Sequence, residues 1–231
     1  KISKRFKIPI IEDAAQAIGS VYQKRPAGSW GKVGCFSTHP LKNLNACGDG
    51  GLLTTNNEEI AKYVRSIRNH GLVNRNTVER FGYVSRMDAL QAAILEFRIS
   101  RLSNVIQKRC QNAEFYFENL KHLPIEIPVQ QENEFNTYHT YVIQTNNRNQ
   151  LQDSLQNEGI ETAIHYPIPI HLQPAAKSLG YEPGDFPKTE SQSRHILTLP
   201  IHQYLKKKDL KIISKSISKC IKENENWDRP R

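Results

Sequence analysis

Three side chains early in the chain have types and places suited to acting together on a small molecule. Asp13 closes the run Ile8-Pro9-Ile10-Ile11-Glu12. A carboxylate at the C-terminal end of a strand stands where open α/β sheets bind their ligands. There it can pair with a cationic ring nitrogen, or simply cap the turn that begins at Ala14. Ser37 and Lys42 are five residues apart, on an expected strand end and in the loop after it. A hydroxyl at such a place can donate to a phosphate. A lysine there can form an imine once its surroundings release the neutral amine. The same Lys42 also reads as a solvated side chain beside a turn. His39 and Pro40 stiffen the loop between them, and His39 is assigned no chemistry.

Other candidate patterns are weaker. Gly28-x-x-Gly31-x-x-Gly34 and Gly48-x-Gly50-Gly51 lack the lysine of a phosphate loop and the strand–glycine–helix setting of a dinucleotide site, so they read as tight turns. Histidines 139, 165, 171, 195 and 202 gather in the second half. His165 and His171 lack the spacing of a usual ligand pair, so no metal is expected; one or two of these histidines can instead line a substrate cleft. The run Lys206-Lys207-Lys208 reads as a solvated face.

The elements that must carry these residues follow from apolar periodicity. Ile8–Ile11 reads as a short buried strand, parallel to its neighbour, with Ala14–Ile18 a helical turn. Gly34–Thr38 and Gly51–Thr55 read as strands. Asn57 caps a helix over about Ile60–Asn69, with Gly71 as its stop. Tyr83–Leu123 contains neither Gly nor Pro and carries apolar residues at steps of three and four. It reads as one amphipathic helix, or two joined near Leu102–Asn104, with Ser85 and Asp88 capping the start. Further on, Tyr138–Ile143 and Ile160–His165 read as strands and Asn149–Glu158 as a helix stopped by Gly159. Pro167, Pro169 and Pro174 impose an extended stretch, and Lys208–Lys222 is a terminal amphipathic helix. The texture changes inside the long helical stretch, which divides the chain into residues 1–103 and 104–231.

Composition bounds the rest. With 231 residues, 38% hydrophobic and 24% charged, the chain can bury a core, and disordered or low-complexity classes are excluded. No apolar run approaches a membrane span, and no signal-peptide core is present at the start. The formal charge of +9 suits anionic partners without choosing among them. The four cysteines match no metal or cluster spacing and are expected to be reduced, as in the cytoplasm. The chain opens on Lys1 and a basic segment before a strand, which reads as the middle of a protein entered at the end of a helix.

Motifs in order narrow the choice. Glu12-Asp13-Ala14-Ala15-Gln16-Ala17, Phe36-Ser37-x-His39-Pro40-x-Lys42-Asn43 and Gly48-x-Gly50-Gly51 are followed by Gly82-Tyr83-x-Ser85-Arg86-Met87-Asp88. Gly159-Ile160-Glu161-Thr162-x-Ile164-His165-Tyr166-Pro167 and Pro169-x-His171-Leu172-Gln173-Pro174 complete the series. Together they resemble the DegT/DnrJ/StrS-type sugar aminotransferases, which use pyridoxal 5′-phosphate (PLP) on the aspartate-aminotransferase fold. The resemblance implies an α/β architecture. Residues 1–103 would be the C-terminal part of the large PLP-binding domain, with a mixed, mainly parallel sheet. A long helix would lead into a small α/β C-terminal domain, residues 104–231.

The resemblance also implies roles. Lys42 would hold PLP as an internal aldimine and then shuttle a proton, Asp13 would pair with the pyridinium nitrogen, Gln16 would lie near the ring's 3-oxygen, and Ser37 would bind the phosphate. His165 would face the nucleotide-sugar cleft. The implied reaction is transamination of a nucleotide-linked keto-sugar, with glutamate as donor, in polysaccharide or amino-sugar biosynthesis. The full-length form would be a cytoplasmic homodimer with no nucleic-acid or membrane partner. Two departures support a rival reading, a catalytically inactive module of the same family. The family's N-terminal region, with its phosphate-binding turn and ring-stacking aromatic, is not in this sequence. Val84 also stands where the family commonly has an asparagine that reaches the PLP phosphate of a neighbouring subunit. A lysine at position 42 argues against the family's dehydratase branch, which has histidine there.

Overall fold

A computed structural model describes residues 2–224 and Trp227. The chain packs as two compact units. The first comprises Lys1–Gln107 and Gln130–His139; the second comprises Lys108–Val129 and Thr140–Arg231.

In the first unit a short helix α1 (Ile2–Phe6) precedes strand β1 (Ile11–Asp13). The hairpin of β2 (Val21–Tyr22) and β3 (Arg25–Pro26) follows, then β4 (Val33–Ser37) and β5 (Gly51–Thr54). β1 and β4 pair in parallel, with Asp13 level with Cys35, and β5 runs antiparallel to β4, with Gly51 opposite Ser37. The result is a mixed sheet in the order β1-β4-β5. Helix α2 (Glu58–Ile67) is capped as expected, the Ile60 N–H donating to Asn57 Oδ1 at 2.9 Å. The small hairpin of β6 (Leu72–Asn74) and β7 (Thr77–Val78) leads to helix α3 (Ala89–Ile99). Strand β8 (Glu134–Phe135) lies in the later segment and pairs with β2.

The glycines of the first unit permit close approach as well as turns. Gly28 has φ 80°, and a Cβ there would fall on the Phe36 ring; a Cβ on Gly31 would lie 2.6 Å from the Ile10 carbonyl oxygen. The loop can therefore lie directly on the strands that carry the candidate residues. The core of this unit is small, with Leu44, Ala46 and Leu95 packed by Ile18, Met87 and Leu102.

Several expectations for this unit are corrected. The Ile8–Ile11 run is not buried: the strand begins only at Ile11, which is 69% exposed, and Ile8 and Ile10 are exposed too. β1 is an edge strand, and the side chains of Ile11 and Asp13 are left exposed while Glu12 is half-buried. Ala14–Ile18 is not helical but a pair of successive turns, closed by Ala17 N–H to Ala14 O and Ser20 N–H to Ala17 O. Ser85 does not cap α3, which starts after Asp88, and Asp88 makes no side-chain capping bond. Helix α2 ends at Ile67 with Arg68 as its cap, so Gly71 follows the stop rather than making it. Gly71 is needed for another reason: with φ 76° it passes so close to the Arg80 carbonyl that a Cβ would collide with it.

The boundary between the units falls inside α4 (Leu102–Leu120), which is separated from α3 by Ser100 and Arg101. In the second unit β9 (Tyr141–Gln144) and β10 (Ile196–Leu199) are antiparallel, with Ile143 opposite Leu197. Helices α5 (Arg148–Asn157), α6 (Pro187–His195) and α7 (Lys207–Lys222) complete it. Tyr116, Leu120, Tyr141, Ile143, Leu151, Leu155, Leu197 and Ile217 are fully or almost fully buried, a much denser core than that of the first unit. Gly159, at φ 75°, turns the chain after α5 as expected. The strand expected over Ile160–His165 reduces to one bridge, Ala163 to Thr198. Pro167 and Pro169 just beyond it have no N–H for a ladder. The stretch expected to be extended holds two short 3₁₀ helices, Ile170–Leu172 and Pro174–Leu179, the second opened by its proline. Among the described residues no helix is long and apolar enough to cross a membrane.

Candidate active site

The first unit brings together four of the five candidate residues on neighbouring segments. Asp13 and Ser37 are the last residues of the parallel strands β1 and β4. Gln16 lies in the turns after β1, and Lys42 in the loop after β4. Neighbouring parallel strands end on the same edge of a sheet, so the chain leaves both toward one side.

Local hydrogen bonds set each group. The Ala15 N–H donates to Asp13 Oδ1 at 3.1 Å, and the Asp13 side chain is otherwise exposed to solvent. The N-terminal cap read as one alternative is thus present as a turn closure, and it engages one oxygen of the carboxylate. The His39 N–H donates to Ser37 Oγ at 3.2 Å. With that lone pair engaged, the Ser37 hydroxyl retains its own proton to donate elsewhere. The Lys42 N–H donates to the His39 carbonyl, which closes a turn over His39–Lys42. His39 Nδ1 accepts from the Leu41 N–H at 3.2 Å, so His39 shapes this turn with its ring as well as its backbone. Lys42 is half-buried, and its Nζ lies 3.4 Å from His139 Nε2.

Glu12 has a different task from its neighbour. Its carboxylate accepts from the N–H groups of Gly28 (2.7 Å), Trp30 (2.5 Å) and Gly31 (2.5 Å). Successive strand residues point to opposite faces, so one acid of the Glu12-Asp13 pair anchors the loop and the other faces solvent. Asn43, beside Lys42, is buried and donates through Nδ2 to the Thr137 carbonyl at 2.9 Å. Sequence reasoning assigned no role to Glu12 or Asn43, and took His139 only as one of five histidines of which one or two can line a substrate cleft. The three N–H bonds that Glu12 accepts from Gly28, Trp30 and Gly31 have no local signature, and His139 is 97 positions from Lys42.

His165, the fifth candidate, belongs to the second unit. Its Nδ1 is 2.9 Å from Thr198 Oγ1, and its ring meets that of Tyr166 edge-on at 5.4 Å. It lines a cavity of about 780 Å³ together with Glu126, Gln144, Tyr166, Ile170, Gln192 and Ile196. In the same unit, His171 and Glu190 form a buried pair, Nε2 to Oε1 at 3.1 Å. Glu190 also accepts from the N–H groups of Gly184 (2.8 and 3.0 Å) and Phe186 (3.3 Å). The Gly184 bond foremost holds the Glu190 carboxyl below its ordinary range, against the opposing effect of burial, and the bond and charge of His171 and the Phe186 N–H add to it. Burial likewise pushes the Cys110 thiol and the Tyr116 hydroxyl up and lowers Arg109. Among the described residues no group of three or more His, Cys, Asp or Glu side chains is placed to hold a metal ion.

Known proteins resemble the chain over most of its length. The chain is 36% identical over 220 residues to the pleiotropic regulatory protein of Geobacillus stearothermophilus, covering 94% of this chain and 59% of that protein. It is 36% identical over 217 residues to the UDP-2-acetamido-2-deoxy-3-oxo-D-glucuronate aminotransferase of Pseudomonas aeruginosa, covering 94% of this chain and 60% of that one. The crystal structure of DesV of S. venezuelae in complex with a ketimine intermediate superposes with a TM-score of 0.92 at 35% identity, over 94% of this chain and 59% of DesV. The chain therefore spans about three-fifths of the length of these relatives. Residues 1–218 match the DegT/DnrJ/EryC1/StrS aminotransferase family as a whole, and the chain belongs to that family.

Proposed function

We propose that the protein to which this chain contributes transfers an amino group from an amino acid, glutamate by preference, to a nucleotide-linked keto-sugar, with PLP as cofactor. The observation that supports this reading is that a solvent-facing carboxylate and a hydroxyl with a free proton end the neighbouring parallel strands β1 and β4, with a half-buried amine in the loop that follows β4. That donor set fits PLP, which has a basic ring nitrogen, a phosphate and an aldehyde. When bound, the cofactor would supply an electron sink for the proton shift that moves the amino group. Asp13 pairs with the ring nitrogen and keeps a proton there. Gln16 takes the side of the ring's 3-oxygen. Ser37 donates its hydroxyl proton to the phosphate. Lys42 supplies the amine that holds the aldehyde carbon and, once released, carries a proton between substrate and cofactor. In the second unit His165 faces the sugar nucleotide, for which the basic surplus of the chain provides attraction. The working form is a homodimer in the cytoplasm.

Borohydride reduction in the presence of PLP, followed by peptide mass analysis, tests the site: the adduct is expected on Lys42. Glutamate with UDP- or dTDP-linked 3-keto-sugars tests the reaction through formation of 2-oxoglutarate. Absence of any Lys42 adduct would sink the reading.

One observation favours a second reading, a folded module of this family without catalysis. Val84 is 65% exposed and bridged only through its backbone to Asn69, so its apolar side chain offers nothing to a phosphate. PLP affinity separates the two readings. Val84→Asn should tighten cofactor binding in a working enzyme and change nothing in a silent one.

A further inference from the structure

We propose that His139 is a positioning residue for Lys42, fixing the lysine amine so that its lone pair is available to an aldehyde carbon. The inference rests on the reading of Lys42 given above and extends it to a residue nearly a hundred positions away.

The segment carrying His139 is built into the first unit. Strand β8 pairs with β2 through Val21 with Phe135 and Tyr22 with Glu134. The Gln23 N–H donates to the Asn133 carbonyl at 2.8 Å. Ser20 Oγ lies 3.0 Å from Thr137 Oγ1, and the Thr137 carbonyl accepts from Asn43 Nδ2 at 2.9 Å. Thr137 is 1% exposed. The loop that carries Lys42 is thus tied, one residue away, to the segment that carries His139, two residues away. Both backbones are held while the two side chains meet with Nζ and Nε2 3.4 Å apart.

The chemistry of the pair assigns its direction. A lysine ammonium has donors and no acceptor. The contact therefore requires Nε2 as acceptor and puts the imidazole proton on Nδ1. In the neutral amine, one N–H can stay on Nε2 while the lone pair points away from the ring. The four-carbon stem of a lysine is flexible, and without the imidazole its amine would sample many orientations. His139 touches neither cofactor nor substrate in this account; it acts through Lys42.

The test measures Lys42 chemistry without relying on turnover. The 231-residue chain is mixed with PLP and reduced with borohydride. The amine nitrogen bonds to the aldehyde carbon, the carbonyl oxygen leaves as water, and hydride reduces the resulting C=N bond to a stable mass tag. The rate of tagging at Lys42 is read by peptide mass against the exposed Lys62 in the same sample. His139→Phe should lower the Lys42-to-Lys62 ratio up to about tenfold, the upper worth of one neutral hydrogen bond. His139→Gln, which keeps an acceptor at similar reach, should stay within about threefold of the unaltered chain. If His139→Phe fails to fold, His139→Met takes its place as an acceptor-poor side chain of similar volume. Equal ratios in all variants overturn the proposal while leaving the role of Lys42 intact. A glutamine variant as slow as the phenylalanine one also overturns it, since the side chain would then serve only to fill space. No preference for Lys42 in the unaltered chain overturns the reading of Lys42 itself, and this inference with it.

Discussion

The strand-end cluster of the first unit and the His171–Glu190 pair of the second each include an acid and a basic side chain, yet they are built in opposite ways. Asp13 has one oxygen engaged by Ala15 and an exposed side chain, and Lys42 makes a single long contact with His139. Glu190 is buried and takes four bonds from two amides and a histidine. A buried charge must be saturated with partners or it destabilises the fold. A group that receives a ligand must keep some of its capacity unused. Incomplete satisfaction at a solvent-facing edge is what the proposed reactive cluster requires, and complete satisfaction of a buried carboxylate is what a structural one requires. Glu12 and Asp13 show the same contrast within two residues.

The largest expected effect separates the clusters most clearly. Lys42→Ala should eliminate the borohydride-trapped adduct and lower transamination on the order of a thousandfold or more. Its unfolding free energy should stay within about 0.5 kcal/mol of the unaltered chain, as for a partly exposed side chain with one weak contact. A large stability loss in denaturant titration would show Lys42 to be structural and erase the contrast.

Glu12→Ala, on β1, should do the reverse, lowering stability. It leaves the amides of Gly28, Trp30 and Gly31 without their acceptor, at a cost of about 1–3 kcal/mol for each one that water fails to reach. A chemical denaturation midpoint close to that of the unaltered chain would mean that water replaces the carboxylate.

His171→Ala is next in size. It removes one of the partners of Glu190 and the ring that packs on Phe186 at 4.7 Å. A loss of about 1–3 kcal/mol is expected, with tagging at Lys42 unchanged. Altered Lys42 tagging would show that the two clusters are not independent.

The smallest effect is in the acid response of the second unit. Glu190 titrates below its ordinary 4.5, so the stability that its carboxylate contributes is complete above 4.5 and is lost as pH falls through the lower folded value. His202 is lowered from 6.5 chiefly by burial, then by the charge of Arg109, with Asp209 opposing. A depressed histidine also contributes stability that is complete above 6.5 and declines as pH falls below it. Melting temperatures followed from pH 7 to 3 should therefore fall in two stages. His202→Gln should remove the earlier stage and Glu190→Gln the later one. A decline unaltered in both variants would place the acid response elsewhere.

Much of the fold was legible in the order of residues. The Asn57 cap, the strands at Val33–Ser37 and Gly51–Thr54, the break in the long helical stretch and the terminal helix all follow from rules acting within one turn or one pleat. The misreadings share a physical cause. Ile8–Ile11 has the composition of a buried strand, but burial depends on which layers cover a strand, and composition does not report that. Ile160–His165 has the residues of a strand, but a strand needs a partner edge along its length, and this one meets β10 at a single bridge.

The sequence by itself nominated the candidates for chemistry, Asp13, Gln16, Ser37, Lys42 and His165, in family order and spacing, with the turns and strand ends that carry the first four. For the first four, local turns and strand ends suffice, because each lies within a few positions of the bonds that set its backbone, whereas His165 meets Thr198, 33 positions away. Only the tertiary structure decided which of these groups meet partners from afar. The return of Gln130–His139 to the first unit brings His139 to Lys42 and ties Asn43 to Thr137, and chain closure sets Glu12 under the loop at Gly28–Gly31. Contacts between distant segments depend on how whole elements pack, and no window of sequence contains both halves of such a contact.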